Sequence, residues 1–152
     1  MLRLHLALAG ALMMLPGTAT AGGKMTEQLA KGSFDVQLTP TSAADAAVGA
    51  MTIAKTFHGD IEGSSVGQML AVRTPVEGSA GYVAMERVTA MLAGRKGSFA
   101  LQHSGTLTRG SPTLSVSVVP DSGTDQLVGL TGTMDIIVSP GRHDYVFRYS
   151  LP

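Results

Sequence analysis

From Ser33 onward the chain alternates apolar and polar residues with the period of a β-strand, not of a helix. Phe34, Val36 and Leu38 interleave with Ser33, Asp35, Gln37 and Thr39 until Pro40 stops the run. Thr41 to Gly49 is a small-residue loop with room for a turn of helix. Ala50 to His58 and Ile61 to Arg73 are strand-like and separated by Gly59-Asp60, a dipeptide suited to a two-residue hairpin loop. Gly81 to Thr106 reads as one long hairpin. Beyond it, Leu114, Val116 and Val118 alternate with serines up to Pro120. Pro120 to Gly132 predicts a turn and one helical turn behind a Ser or Thr cap. Thr133 to Ser139 and His143 to Leu151 then form two strands around Pro140-Gly141-Arg142. About eight strands joined by short turns predict an all-β, antiparallel up-and-down arrangement, and eight are enough to close a barrel without free edges. A β-sandwich is the alternative, since strand number alone does not separate the two.

The long hairpin carries the most informative pair of side chains. Its glycines Gly94 and Gly97 suggest a four-residue loop, Gly94-Arg95-Lys96-Gly97, with Ala93 facing Ser98. Period-two alternation then puts Tyr82, Ala84, Glu86, Val88, Ala90 and Leu92 on one face with Phe99, Leu101, His103, Gly105 and Leu107. In that register Val88 lies opposite His103 and Glu86 is its diagonal neighbour, about 7 to 8 Å away at Cα, within reach of a carboxylate and an imidazole. A one-residue slip would separate the pair onto opposite faces. Glu86 and His103 are therefore the lead candidates, with Tyr82, Phe99 and Leu101 beside them on the same wall. Burial should raise the Glu86 pKa and a nearby imidazole should oppose the rise, which suits the pair to proton exchange or to a buried hydrogen bond that fixes register.

Length and charge narrow the setting. Met1 to His5 is a short basic start, Leu6 to Leu15 an apolar run, and Pro16 to Ala21 ends in the small-x-small pattern of a signal-peptidase site, which predicts export and cleavage after Ala21. The apolar run is shorter than the ≈ 20 residues of a permanent membrane helix. The mature protein is expected in the periplasm or outside the cell, with Gly22 to Lys31 as a loose tail and 32–152 as a single barrel domain. There is no cysteine, so disulfides, thiolate chemistry and cysteine-linked lipid are excluded. The chain has 11 basic and 11 acidic residues and no basic stripe, which argues against nucleic acid or an anionic membrane as partner.

The remaining chemistry is sparse. If Gly59-Asp60 is a two-residue turn, Phe57 faces Glu62 and Lys55 shares their face, which predicts a solvated Lys55–Glu62 surface pair of small energetic weight. Arg87 should point away from Glu86. Glu62, Gln102 and Arg87 are secondary candidates. His58, His103 and His143 lie in separate segments without ligand spacing, so no metal and no cofactor is expected. No nucleophile elbow or phosphate loop is present. Scattered methionines, Met51, Met69, Met85, Met91 and Met134, suit gap-filling or adaptable packing against an apolar ligand.

The succession KTFHGDIEG (Lys55 to Gly63), MERV (Met85 to Val88), AGRKGSFALQHSG (Ala93 to Gly105) and VVPDSGTDQLVGLTG (Val118 to Gly132) resembles an uncharacterised bacterial family of small exported or cytosolic proteins with the allene oxide cyclase-like barrel fold. The resemblance runs from about Gly32 to the C-terminus. It implies an eight-stranded antiparallel barrel and distant kinship with the allene oxide cyclases and dirigent proteins of plants, and it implies no activity. Allene oxide cyclases act through a glutamate in a mostly apolar cavity, with asparagine and cysteine nearby. This chain has neither asparagine nor cysteine, so that constellation is absent.

Three roles follow. The first is a barrel binding a small, largely apolar molecule, with Glu86 and His103 as polar anchors. The second is an isomerase or cyclase using the same residues in acid-base chemistry. The third is a filled structural barrel whose outer faces form homo-oligomers.

Overall fold

The computed structural model describes residues 26–152, and the expected signal peptide, 1–21, lies outside them. Eight antiparallel strands in sequence order close into a barrel: β1 (Gln28–Pro40), β2 (Gly49–Gly59), β3 (Ile61–Arg73), β4 (Ala80–Leu92), β5 (Arg95–Thr108), β6 (Ser111–Val118), β7 (Thr131–Ser139) and β8 (Arg142–Ser150). This is the up-and-down barrel, not the sandwich. Closure explains where the chain departs from its local pattern. Strand β1 begins at Gln28, inside the segment expected to be a loose tail, because Gln28 to Lys31 pair with Tyr149 to Val146 of β8. That partner is more than a hundred residues away and leaves no local signature.

Two turns differ from expectation. The β4–β5 loop is Ala93-Gly94 rather than Gly94–Gly97: Leu92 pairs with Arg95, and both loop residues have positive φ (49° and 78°), the geometry of a tight turn that matches strand twist. Arg95 and Lys96 consequently join β5. Between β2 and β3 the last pair is Phe57 with Gly63, one residue out of step with the two-residue turn at Gly59-Asp60. There Gly59 still pairs with Gly32 of β1 while Ile61 pairs with Leu92 of β4. The Tyr145 hydroxyl staples the corner, accepting from the Ile61 amide at 2.8 Å and donating to the His58 carbonyl.

Inward-facing residues divide the barrel into two halves. In the half that ends at the β4–β5 loop, Ile61, Leu92, Val88, Phe99, Leu101 and Phe147 are completely buried, and Phe99 stacks on Phe147 at 5.9 Å. The Asp125–Leu127 3-10 turn, the predicted single helical turn, drives Leu127 and then Leu130 into that end as a plug. Backbone bonds from Val119 and Thr124 to Ala100 and Ser98 lay this segment along the edge of β5 that β6 does not reach. The Thr41–Val48 loop contains turns but no helix.

The opposite half is graded instead of packed. Ile53, Ala84 and Val116 are buried, Val36, Met51, Met69, Ala71, Tyr82 and Ile136 are half-buried, and Leu38 and Val138 at the rim are 47% and 69% exposed. An apolar cup therefore opens at this end. One join in the wall is thin. β3 and β4 pair continuously from Ile61–Leu92 to Arg73–Ala80, whereas β6 and β7 share the single pair Ser117–Thr133.

Candidate functional site

Glu86 projects inward from β4 at the level where the packed half meets the cup. Flanking strands shape its place. Gly67 of β3 lies opposite, and a Cβ there would collide with the Met85 carbonyl and the Glu86 Cβ, so glycine lets the two strands close around the carboxylate. Leu101 lies opposite on β5. Diagonally placed Ser65 and His103 reach it from either side, and Lys55, opposite Ser65 on β2, reaches it from two strands away. The Glu86 Oε1 accepts from Lys55 Nζ and His103 Nε2, each at 2.8 Å, and its Oε2 accepts from Ser65 Oγ at 2.7 Å. Among the described residues these four are the buried polar or charged ones, and no buried side-chain nitrogen or oxygen lacks a partner.

The electrostatics follow from that geometry. Desolvation alone would raise the Glu86 pKa, but the His103 hydrogen bond, the Lys55 charge and hydrogen bond, and the Ser65 hydroxyl outweigh it and hold the carboxyl at about 2. The expected upward pull of burial is present and loses, because three donors meet where one was anticipated. Glu86 is a fixed anion near neutral pH and cannot act as a proton donor there. Lys55 Nζ sits 4.6 Å from the centre of the Phe34 ring, so an aromatic face shields the ammonium on its other side. Tyr82, farther up β4, has its phenol pKa raised by burial and by the Glu86 charge, and its ring fills the space a Cβ on Gly105 would occupy.

Glu86 and His103 are thus joined, although in a register four residues from the expected one: Ala84, not Val88, faces His103. The shift is even, so both side chains stay on the inner face. Phe99 and Leu101 lie in the packed half below the carboxylate. Gln102, Arg87 and Glu62 point outward and are exposed. Lys55 is the clear departure. It is no surface partner of Glu62 but the buried counter-ion of Glu86, because the out-of-step β2–β3 turn sends Glu62 outward while Lys55 stays inward. Its signal was in the chain: Ile53, Lys55 and Phe57 share one face of β2, as Ser65 shares one with Ile61 and Met69. His58 pairs with Asp35 on the outside, and His143 stacks on Phe34 at 5.2 Å. Among the described residues no group of three His, Asp or Glu side chains is placed to hold a metal.

A family model described as a protein of unknown function (DUF3224) matches residues 30–149. The crystal structure of a protein with unknown function from the DUF3224 family of Shewanella oneidensis MR-1 superposes with a TM-score of 0.76 at 46% identity, covering 85% of this chain and 98% of that one. No curated protein matches the chain.

Proposed function

The chain belongs to the DUF3224 family, proteins of unknown function, and from its own interior we propose that the barrel binds a small, largely apolar molecule in its open half, with the Lys55–Glu86–His103–Ser65 cluster as the polar floor. The observation that carries this reading is the contrast between the two halves: inward side chains below Glu86 are buried, while those above it grade outward to an apolar rim. At the mouth, beside the Ser42–Ala47 loop, a recess of about 460 Å³ is bordered by Pro40, Met51, Ala71 and Arg73. Its lining stops short of the polar floor. Met51 and Met69, opposite one another on β2 and β3, form the intervening layer, and flexible thioether side chains re-pack readily to admit a ligand.

The reading places the mature barrel in the periplasm or outside the cell, supported by the Met1–Ala21 pattern. A second reading concerns the outer wall. Leu70 pairs with Val83 across β3 and β4, and both are about half exposed, as are Val72 and Met85. Such a patch fits a second copy of the chain. Native mass spectrometry of protein expressed with its own leader, before and after organic extraction, tests both readings. An extractable small-molecule mass supports the cup. A uniformly apo protein that also retains no apolar probe on dialysis overturns it. The same spectrum reports whether copies associate.

A further inference from the structure

Above the polar floor, the inner wall of the barrel carries a single fixed charge. Inward positions on β3 alternate from Ile61 through Ser65, Met69 and Ala71 to Arg73, which stands on the last rung, opposite Ala80 of β4. The other inward positions of the open half hold uncharged side chains, among them Pro40, Met51, Tyr82, Leu107, Leu114 and Val138. His143, the remaining base outside the floor, stacks on Phe34 and does not border the recess at the mouth. Arg73 does border it.

The lining of that recess holds one charge and is otherwise mostly apolar. The Thr41–Val48 loop lends it Ala43, Ala44, Ala46 and Ala47 but not Asp45, which is exposed outside it, and Met51 and Ala71 close the strand side. Glu77, in the loop that follows β3, is also exposed and outside the lining. Among the described residues Arg73 takes part in no ion pair, whereas Arg142 and Arg148 hold Asp144 and Asp135 on the outer wall. An unpartnered guanidinium beside an apolar hollow is complementary to an anion with an apolar body. Its planar fork donates two parallel hydrogen bonds to the two oxygens of a carboxylate. A phosphate monoester, with nearly two charges, would leave one unmatched, because no other cation borders the recess. Arg73 is exposed, so a carboxylate at the rim keeps part of its water and is spared the desolvation that a charge in the packed half would incur.

We propose, on the binding reading above, that the molecule taken up is an apolar monocarboxylate. Its carboxylate pairs with Arg73 at the rim, and its body lies against the loop alanines and Met51 in the recess of about 460 Å³. Arg73 then sets the orientation, charged end outward, and favours an acid over an uncharged compound of the same shape. The floor at Glu86 takes no part in this selection, since its four side chains satisfy one another.

The test is equilibrium dialysis of the mature protein near neutral pH with 4-phenylbutyrate and with 4-phenylbutanamide, its uncharged isostere, both read by ultraviolet absorbance. Wild type is expected to hold 4-phenylbutyrate the more tightly. Arg73→Gln should weaken 4-phenylbutyrate about fivefold, the upper value for an exposed ion pair, and leave the amide unchanged. Arg73→Lys, which keeps the charge but not the fork, should fall between. In wild type alone, added salt should loosen the carboxylate and spare the amide, a readout that needs no variant to fold. A 4-phenylbutyrate affinity that Arg73→Gln leaves unchanged, or that falls equally with that of the amide, overturns the Arg73 anchor and leaves the binding cup standing. Retention of neither probe by wild type removes the cup and this inference together.

Discussion

Replacing Glu86 by glutamine removes one negative charge from the barrel centre and almost no volume. In the native protein that charge has a pKa of about 2 against an ordinary value of 4.5. At 1.36 kcal/mol per unit the difference corresponds to roughly 3 kcal/mol of stability near neutral pH. Removing one partner of a buried ion pair gives the same scale by a separate route, about 3 to 5 kcal/mol, because the Lys55 ammonium is left unpaired between Phe34 and Phe57. The sign with pH is fixed. A carboxyl whose native pKa is depressed stabilises fully above its unfolded pKa and loses that contribution as pH falls through the native value. Urea unfolding of wild type and Glu86→Gln should therefore differ by a constant amount above about pH 5, with the gap closing between 4.5 and about 2, where the wild type acquires the same neutral side chain. Adding Lys55→Met to Glu86→Gln should recover much of the loss, since a buried pair replaced on both sides by neutral groups of similar shape is often tolerated. A cost of Glu86→Gln below 1 kcal/mol, or a gap that does not change across that pH window, would refute the account of a charge held by three donors.

Two further substitutions probe the frame and the cup. Tyr145→Phe deletes the hydroxyl that the Ile61 amide donates to, leaving a buried donor without its acceptor; a loss of about 1 to 3 kcal/mol and faster amide exchange at Ile61 are expected. Unchanged exchange there would show that the corner is not held by this staple. Ala84→Phe, on the cup wall between Met69 and His103, should cost about 1 to 3 kcal/mol by overpacking and abolish retention of an apolar probe on dialysis. A folded Ala84→Phe protein with full retention would place the ligand elsewhere.

The fold was legible where the information is local. Strict alternation in β1, β4 and β6 and glycine or proline between the runs locate the strands, and the offset between the expected and observed registers of β4 and β5 is even, so Glu86 and His103 stay on one face although the loop is Ala93-Gly94. Lys55 shows the limit. Its inward direction depends on a one-residue offset at the β2–β3 corner, and that offset is set by Ile61 seating on β4 and by Tyr145 from the far end of the chain. No local pattern contains either contact. The Leu127–Leu130 plug was likewise visible as a turn but not as a floor, because its meaning comes from which end of the barrel it enters.

The thin join between β6 and β7 gives the barrel a defined mode of failure. Parting the Ser117–Thr133 bridge converts a closed cylinder into an open curved sheet with β6 at one margin and β7 at the other, and those two margins are complementary by construction. The β6 margin of one molecule then fits the β7 margin of the next, a head-to-tail match that each added copy leaves free at both ends until a ring closes. Ile137 and Val138, exposed on β7, add apolar surface to that margin. Under acid or heat the chain should polymerise through this seam before its other strand pairs separate, and a disulfide engineered across Ser117 and Thr133 should suppress that polymerisation through the same treatment.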